Sequence, residues 1–232
     1  PNILFGNIIK YDELPEDFCR RMQGYRSESG SFRINLALSD LPKFPQLKAF
    51  DVSPEILLNG SNNIAPSIPY IEKAYQDACE FGWSEEPVIE FCLPSLIDDS
   101  LAPDGAHVMS LFSQHFRRYL PNSMSWVDEK DRIADLILAT VEKYSPGFQK
   151  LIVGKQINSP LDIEEKLNMV GGDIFHGALH LDQLYSMRPV AGAGNYRMPI
   201  SGLYLGGSGA HPGGGVSGLP GKNCADAVLQ DI

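Results

Sequence analysis

Residues 202–215 read Gly202-Leu203-Tyr204-Leu205-Gly206-Gly207-Ser208-Gly209-Ala210-His211-Pro212-Gly213-Gly214-Gly215. The first six form a short apolar run of strand character, and the glycine-rich remainder follows at once. From Val216 to Ile232, the residues Cys224, Ala225, Ala227, Val228 and Leu229 predict a helix. The spacing therefore predicts strand, glycine loop, helix, with no later strand to close a crossover. A parallel strand needs both faces covered, and its sheet partners are not in this sequence. Together with a first residue Pro1 in place of Met, this reads as a piece of a longer protein.

Glycines between a strand and a helix let the backbone approach a ligand and aim free N–H groups outward. The positive end of the helix dipole adds to them, so such a turn suits an electron-rich oxygen. The spacing is neither the phosphate loop ending in Gly-Lys-Ser/Thr nor a complete G-x-G-x-x-G in a crossover unit. A flexible linker would need neither His211-Pro212 nor the apolar helix that follows. Gly206 to Ala210 also resembles a nucleophile elbow around Ser208. Only His211 follows it, too close on the same turn to act as base, and Asp226 and Asp231 fall on the final helix.

Composition bounds the rest. The chain has 232 residues, a net charge of −10 and 43% hydrophobic residues, enough for one domain or two small ones. No apolar run approaches the roughly 18 residues of a membrane-spanning helix, and no charged-then-apolar leader is visible. The acidic balance argues against a nucleic-acid partner, which needs clustered Lys and Arg. Cys19, Cys79, Cys92 and Cys224 lie far apart, so no metal site is expected and reduced thiols in a cytoplasmic setting are. Fourteen of the 22 glycines fall in residues 171–232, whereas charge concentrates before them. Two regions with different physical tasks follow, a first over 1–190 and a second over 191–232.

The first region mixes strands and helices. Ser31 to Leu38 alternates polar and apolar residues, and Val88–Leu93 and His107–Phe112 are further strand candidates near prolines that would end pairing. Ser67 caps an expected helix that Gly82 stops, Asp128–Tyr144 repeats the pattern, and Ser159-Pro160 opens a third helix. Strands and helices do not alternate strictly, so the expected class is α+β, with a mainly antiparallel sheet and packed helices. His176 and His180 sit four apart without a third ligand and read as ordinary hydrogen-bonded histidines. Asp182 and Arg188 read either as an ion pair, worth little at the surface, or as residues that orient a loop, and Trp83 and Trp126 read as packing.

The segments Gly172 to Leu184, Arg188-Pro189 and Gly202 to Gly215 together resemble the C-terminal part of phytoene dehydrogenase-like FAD oxidoreductases. The pattern G-x-G-x-H-P-G-x-G-x-x-G over Gly207 to Gly218 carries most of the likeness, which extends more weakly over most of the chain. By that resemblance, residues 191–232 are the C-terminal segment of a Rossmann-like FAD domain whose N-terminal half lies elsewhere, and 1–190 belong to the substrate domain. Gly207, Ser208, Gly209, His211, Pro212, Gly213, Gly214, Gly215 and Val216 would line the ribityl chain and ring of FAD. The N–H groups of Val216 and Ser217 would face the flavin pyrimidine carbonyl. His176, Asp182 and Arg188 would stand near the substrate. The implied chemistry is hydride transfer between an apolar substrate and flavin N5. Two departures matter: Ser208 and Gly209 replace an acidic residue common in related turns, and Ser186-Met187 precede Arg188-Pro189 where carotenoid desaturases carry an aromatic. This stretch alone is expected to be inactive and to hold FAD poorly without the N-terminal FAD domain. The alternative is a cofactor-free binding or scaffolding module that keeps the fold. The resemblance, whose family substrates are often lipid-like, also leaves room for a peripheral membrane contact, although no amphipathic basic helix is visible, and a homo-oligomer is a further expected partner.

Overall fold

A computed structural model describes all residues from Pro1 to Ile232. In chain order the elements are α1 (Glu16–Gln23), β1 (Gly30–Leu38), α2 (Pro54–Leu58), β2 (Asn62–Ile64), α3 (Ile68–Phe81) and β3 (Trp83–Cys92). There follow β4 (His107–Phe116), α4 (Trp126–Tyr144), β5 (Ile152–Asn158), α5 (Pro160–Leu167) and α6 (Leu219–Asp231), joined by short 3-10 turns. No helix is long and apolar enough to cross a membrane. The chain divides into two compact units: Gly30–Asp162, and Pro1–Ser29 with Ile163–Ile232. The boundary expected at 190/191 falls inside the second of these.

The Gly30–Asp162 unit is built on one five-stranded sheet in the order β2-β3-β4-β1-β5. Every pairing is antiparallel, as the α+β expectation requires. Along β1, Phe32, Ile34, Leu36 and Leu38 are buried, while Arg33, Asn35 and Ala37 take the opposite face. The two-residue period of a strand dictates that division. The buried row joins Ile133, Ala134, Ile137, Leu138 and Val141 of α4 in one core. The rings of Phe32, Phe116 and Trp126 lock it, with centroids 5.3 Å apart for Phe32–Phe116 and 5.7 Å for Phe32–Trp126.

Local chemistry sets the helix limits. The Ser67 hydroxyl accepts from the Tyr70 amide, and Gly82, at φ 90, ends α3 in the left-handed region. At α5, Ser159 and Asp162 cap each other, the Ser159 amide donating to Asp162 at 3.0 Å. Two expectations are corrected, and one strand goes unforeseen. Pro87 lies within β3 instead of bounding it, because an irregularity between Trp83 and Val88 absorbs the missing donor. β4 runs on to Phe116, beyond the expected Phe112. β5, an edge strand with an exposed face, carries Gly154 and Lys155 and shows too little apolar alternation to be expected from sequence.

Ile137 is fully buried in this core. Ile137→Ala should destabilise the unit by about 2–5 kcal/mol, whereas Val153→Ala on exposed β5 should cost about 0.5 kcal/mol or less. Urea unfolding followed by tryptophan fluorescence reads this unit alone, since Trp83 and Trp126 both lie in it.

Candidate functional site

The second unit carries the glycine loop, and its construction starts at residues 196–205. Leu205 donates its amide to the Tyr196 carbonyl at 2.9 Å, Met198 to Leu203 at 2.9 Å and Leu203 to Ile200 at 3.0 Å. This is a tight hairpin with a single antiparallel bridge, Arg197 to Tyr204. The strand expected at Gly202–Gly207 is therefore corrected. Its backbone groups are spent on the turn, and a Cβ on Gly206 would stand 2.8 Å from Cys224 Cβ of α6. Close helix contact takes the place of a ladder.

The expected helix start is also corrected, from Val216 to Leu219. Val216 at φ 55 and Gly218 at φ 71 are left-handed, and the first helical bond runs from the Lys222 amide to the Gly218 carbonyl. The hairpin then clamps α6 through its far end. Arg197 donates to both Asp231 carboxylate oxygens, at 2.7 and 2.9 Å, and the Tyr204 hydroxyl donates to Oδ2 at 2.6 Å. These donors hold the Asp231 carboxyl down at about 2.

Between hairpin and helix, two turns shape the loop: Ala210 donates to Gly207 at 2.9 Å and Gly213 to Ala210 at 2.8 Å. The next four amides, Gly214 to Ser217, donate to no acceptor of the chain. Left-handed backbone at Gly213, Gly215 and Val216 turns them away from regular structure. A Cβ on Gly207 or Gly215 would meet nothing within 4 Å, so bare backbone faces open space there. The buried His211 Nδ1 also lacks a partner, while its ring lies 6.0 Å from that of Tyr185. Pro212 is exposed, and Gly209 is buried.

Arg188 organises this region. Its side chain is completely buried, and every hydrogen bond it makes is to a carbonyl oxygen. Nη2 donates to Phe175 at 2.7 Å and Ser208 at 2.8 Å, Nε to Ser208 at 3.0 Å, and Nη1 to Gly177 and Gln183 at 3.3 Å. One guanidinium thus ties residues 175–183 to the glycine loop. Of the two readings for Asp182 and Arg188, the ion pair is corrected, since exposed Asp182 pairs with Arg26, while Arg188 orients the loop through these carbonyls. Planar multi-donor geometry fits Arg188 to converging carbonyls, and a surface carboxylate cannot follow it inward.

Asp173, Tyr25 and Gln183 complete the support, and none of them is marked out by spacing alone. Asp173 is fully buried and accepts from the Phe175 amide at 2.9 Å and the Ser29 amide at 3.3 Å. Burial raises its pKa, against the pull of those amides and of Arg188. The Tyr25 hydroxyl donates to the His176 carbonyl at 2.6 Å, and burial pushes it up to about 12. Gln183 accepts from the Arg26 amide and donates to the Arg26 and Ala178 carbonyls. The His176 ring itself is exposed. No cluster of three His, Cys, Asp or Glu side chains is placed to hold a metal ion.

No family model matches the chain. All of it aligns at 38% identity with pyridine nucleotide-disulfide oxidoreductase domain-containing protein 2 of Rattus norvegicus, covering 40% of that protein. All of it also aligns at 31% identity with a limonene dehydrogenase polypeptide of Castellaniella defragrans, over 43% of that protein. Phytoene desaturase (lycopene-forming) of Pantoea ananas is 30% identical over 65% of this chain and 30% of its own. The chain is a relative of the phytoene dehydrogenase-like oxidoreductases. It spans about 40% of the length of the first of these relatives. The family resemblance of residues 172–184, 188–189 and 202–215 thus falls on the segments that Arg188 and the hairpin hold together.

Two outcomes test this construction. Arg188→Met leaves buried carbonyls without donors and should destabilise the Arg188-centred unit by about 3 kcal/mol or more, read as loss of amide-exchange protection at Ala178 and Gly213. The Asp231 clamp has the opposite pH sense to a raised group. Its folded pKa of about 2 lies below the usual value for Asp. Its stabilisation is therefore present above about pH 4 and lost as pH falls toward 2. Asp231→Asn should flatten that part of an acid-unfolding curve followed at α6.

Proposed function

We propose that this chain is the substrate-side and flavin-closing part of an FAD-dependent oxidoreductase. The observation that carries the reading is the run of four unpaired amides at Gly214–Ser217, next to bare backbone at Gly207 and Gly215. Donors that find no acceptor in their own chain suit an electron-rich ligand edge, and fixed backbone dipoles need no reorganisation when charge develops there. The donor set fits a flavin. Gly207, Ser208, Gly209, His211, Pro212, Gly213, Gly214, Gly215, Val216 and Ser217 would hold it, with His211 Nδ1 a further free polar atom. When bound, the isoalloxazine ring would supply hydride transfer between N5 and a substrate carbon.

The chain's own residues supply position. Arg188 fixes the Ser208 carbonyl and so the turn that precedes the free amides. The Arg197–Asp231 clamp fixes the helix that follows them. In this reading residues 191–232 complete the flavin site, an N-terminal FAD domain supplies the remaining contacts, and the Gly30–Asp162 sheet belongs to the substrate domain. Arg188 is then a positioning residue. The relatives' names support oxidoreductase chemistry: one names phytoene and another limonene as what it acts on.

Gly207→Leu tests the reading at a position where an added Cβ meets nothing within 4 Å. In the whole protein the variant should keep its melting temperature and lose flavin affinity by about tenfold or more, the equivalent of about 1.4 kcal/mol. Full flavin occupancy in the variant would overturn the placement of flavin against Gly207, and a whole protein that holds no flavin would leave the cofactor-free binding module as the better account.

A further inference from the structure

The sheet carries a second set of donors without a partner in the chain, exposed on one face, away from the glycine loop in sequence and in a different unit. Arg33 lies on β1, inside the sheet, with β2-β3-β4 beyond one edge and β5 beyond the other. It faces away from the buried row of Phe32, Ile34 and Leu36. Its Nε donates to Ser110 Oγ at 3.2 Å and to Asn35 Oδ1 at 3.4 Å. Ser110 Oγ donates to the same Asn35 oxygen at 2.9 Å, and Asn35 Nδ2 donates to Gln156 Oε1 at 3.3 Å.

The direction of these bonds matters. The oxygens of Ser110, Asn35 and Gln156 are taken up within the row, while both Nη groups of Arg33 and Nε2 of Gln156 have no partner in the chain. Four other arginines find carboxylates: Arg21 has Asp17, Arg26 has Asp182, Arg132 has Glu129 and Arg197 has Asp231. Arg33 has none, although acidic residues outnumber basic ones by ten in this chain. A guanidinium oriented through Nε presents its two terminal nitrogens as the fork that matches a carboxylate.

Register supplies the rest of the ligand. Arg33 lies opposite Phe112, Asn35 opposite Ser110 and Gln156, and Ala37 opposite Val108 and Gly154. The Ala37–Val108–Gly154 row is thus two residues beyond the amide row on the same face, about 6.6 Å along the strands. It is small and apolar.

We propose that this sheet face binds a monocarboxylate with an apolar chain, its carboxylate on Arg33 and its chain along Phe112, Ala37 and Val108. The site deepens the oxidoreductase reading by naming the substrate class as an amphipathic acid instead of a hydrocarbon, but the binding itself needs no flavin. Titrating the protein with octanoate, octan-1-ol and octylamine, followed by calorimetry, tests it. Octanoate should bind and the other two should bind at least about tenfold more weakly, as loss of a charge-assisted bidentate contact implies. Arg33→Gln should lower octanoate affinity by about tenfold or more, Arg33→Lys should retain part of it, and Arg20→Gln on α1 should change nothing. Unchanged melting of Arg33→Gln separates binding from folding. No octanoate binding, equal binding of octan-1-ol, or octanoate binding indifferent to Arg33→Gln would each overturn the proposal. Because the measurement reads no flavin, its failure leaves the glycine-loop reading standing, and loss of flavin affinity at Gly207 says nothing about Arg33.

Discussion

A single buried guanidinium sets the shape of the unit that carries the glycine loop. Burying a cation without a carboxylate is costly, and Arg188 meets that cost with carbonyl groups at Phe175, Gly177, Gln183 and Ser208. None of those segments is a strand or an α-helix. Without a ladder or helix to satisfy their carbonyls, they would have to face water. Arg188 lets them converge instead, and its guanidinium opposes the upward pull of burial on the neighbouring Asp173 carboxyl. The packing leaves no room for extra atoms around this centre. A Cβ on Gly177 would collide with the Tyr25 hydroxyl oxygen, and one on Gly214 would lie 3.0 Å from the Phe175 ring. Glycine here reflects crowding on one side of the loop, while Gly207 and Gly215 reflect openness on the other.

The sheet unit rests on a different constraint, the strict alternation of β1. Phe32, Ile34 and Leu36 commit one face to α4, and a slip of one residue would bury Arg33 and Asn35 in their place. The opposite face is thereby fixed as well. Its donors are not incidental, because register places Ser110 and Gln156 on either side of Asn35.

How much of this is legible in the sequence depends on the range of the interactions. Alternation in Ser31–Leu38, the Ser67 and Gly82 limits of α3 and the Ser159 cap are local, and each is realised. The short helix α1, with Phe18, Cys19 and Met22 buried, and the edge strand β5 escape a sequence reading, since their apolar signals are brief. At the loop, the glycine pattern gives the wrong local structure. Pattern alone predicts a strand and an early helix, because the Gly206–Cys224 approach and the left-handed turns at Val216 and Gly218 depend on contacts between distant residues. Arg188 stands out by its neighbourhood, yet pairing it with Asp182 assumes that nearby opposite charges meet. Burial decides otherwise: the guanidinium goes inward to carbonyls, and Asp182 remains outside with Arg26.

Net charge bears on both donor sets. With a charge of −10, this chain repels anions at long range, but screening confines that repulsion to about 8 Å at physiological ionic strength. An electron-rich carbonyl or a carboxylate must therefore be held by donors at contact distance and not by steering. The chain has two such donor sets, built by different means. At Gly214–Ser217 the donors are backbone amides released by turns that no side chain could make without strain. At Arg33 they are side-chain groups oriented by a hydrogen-bonded row whose acceptors are already used. Neither set depends on the overall charge, so an acidic surface and recognition of an electron-rich ligand coexist without conflict.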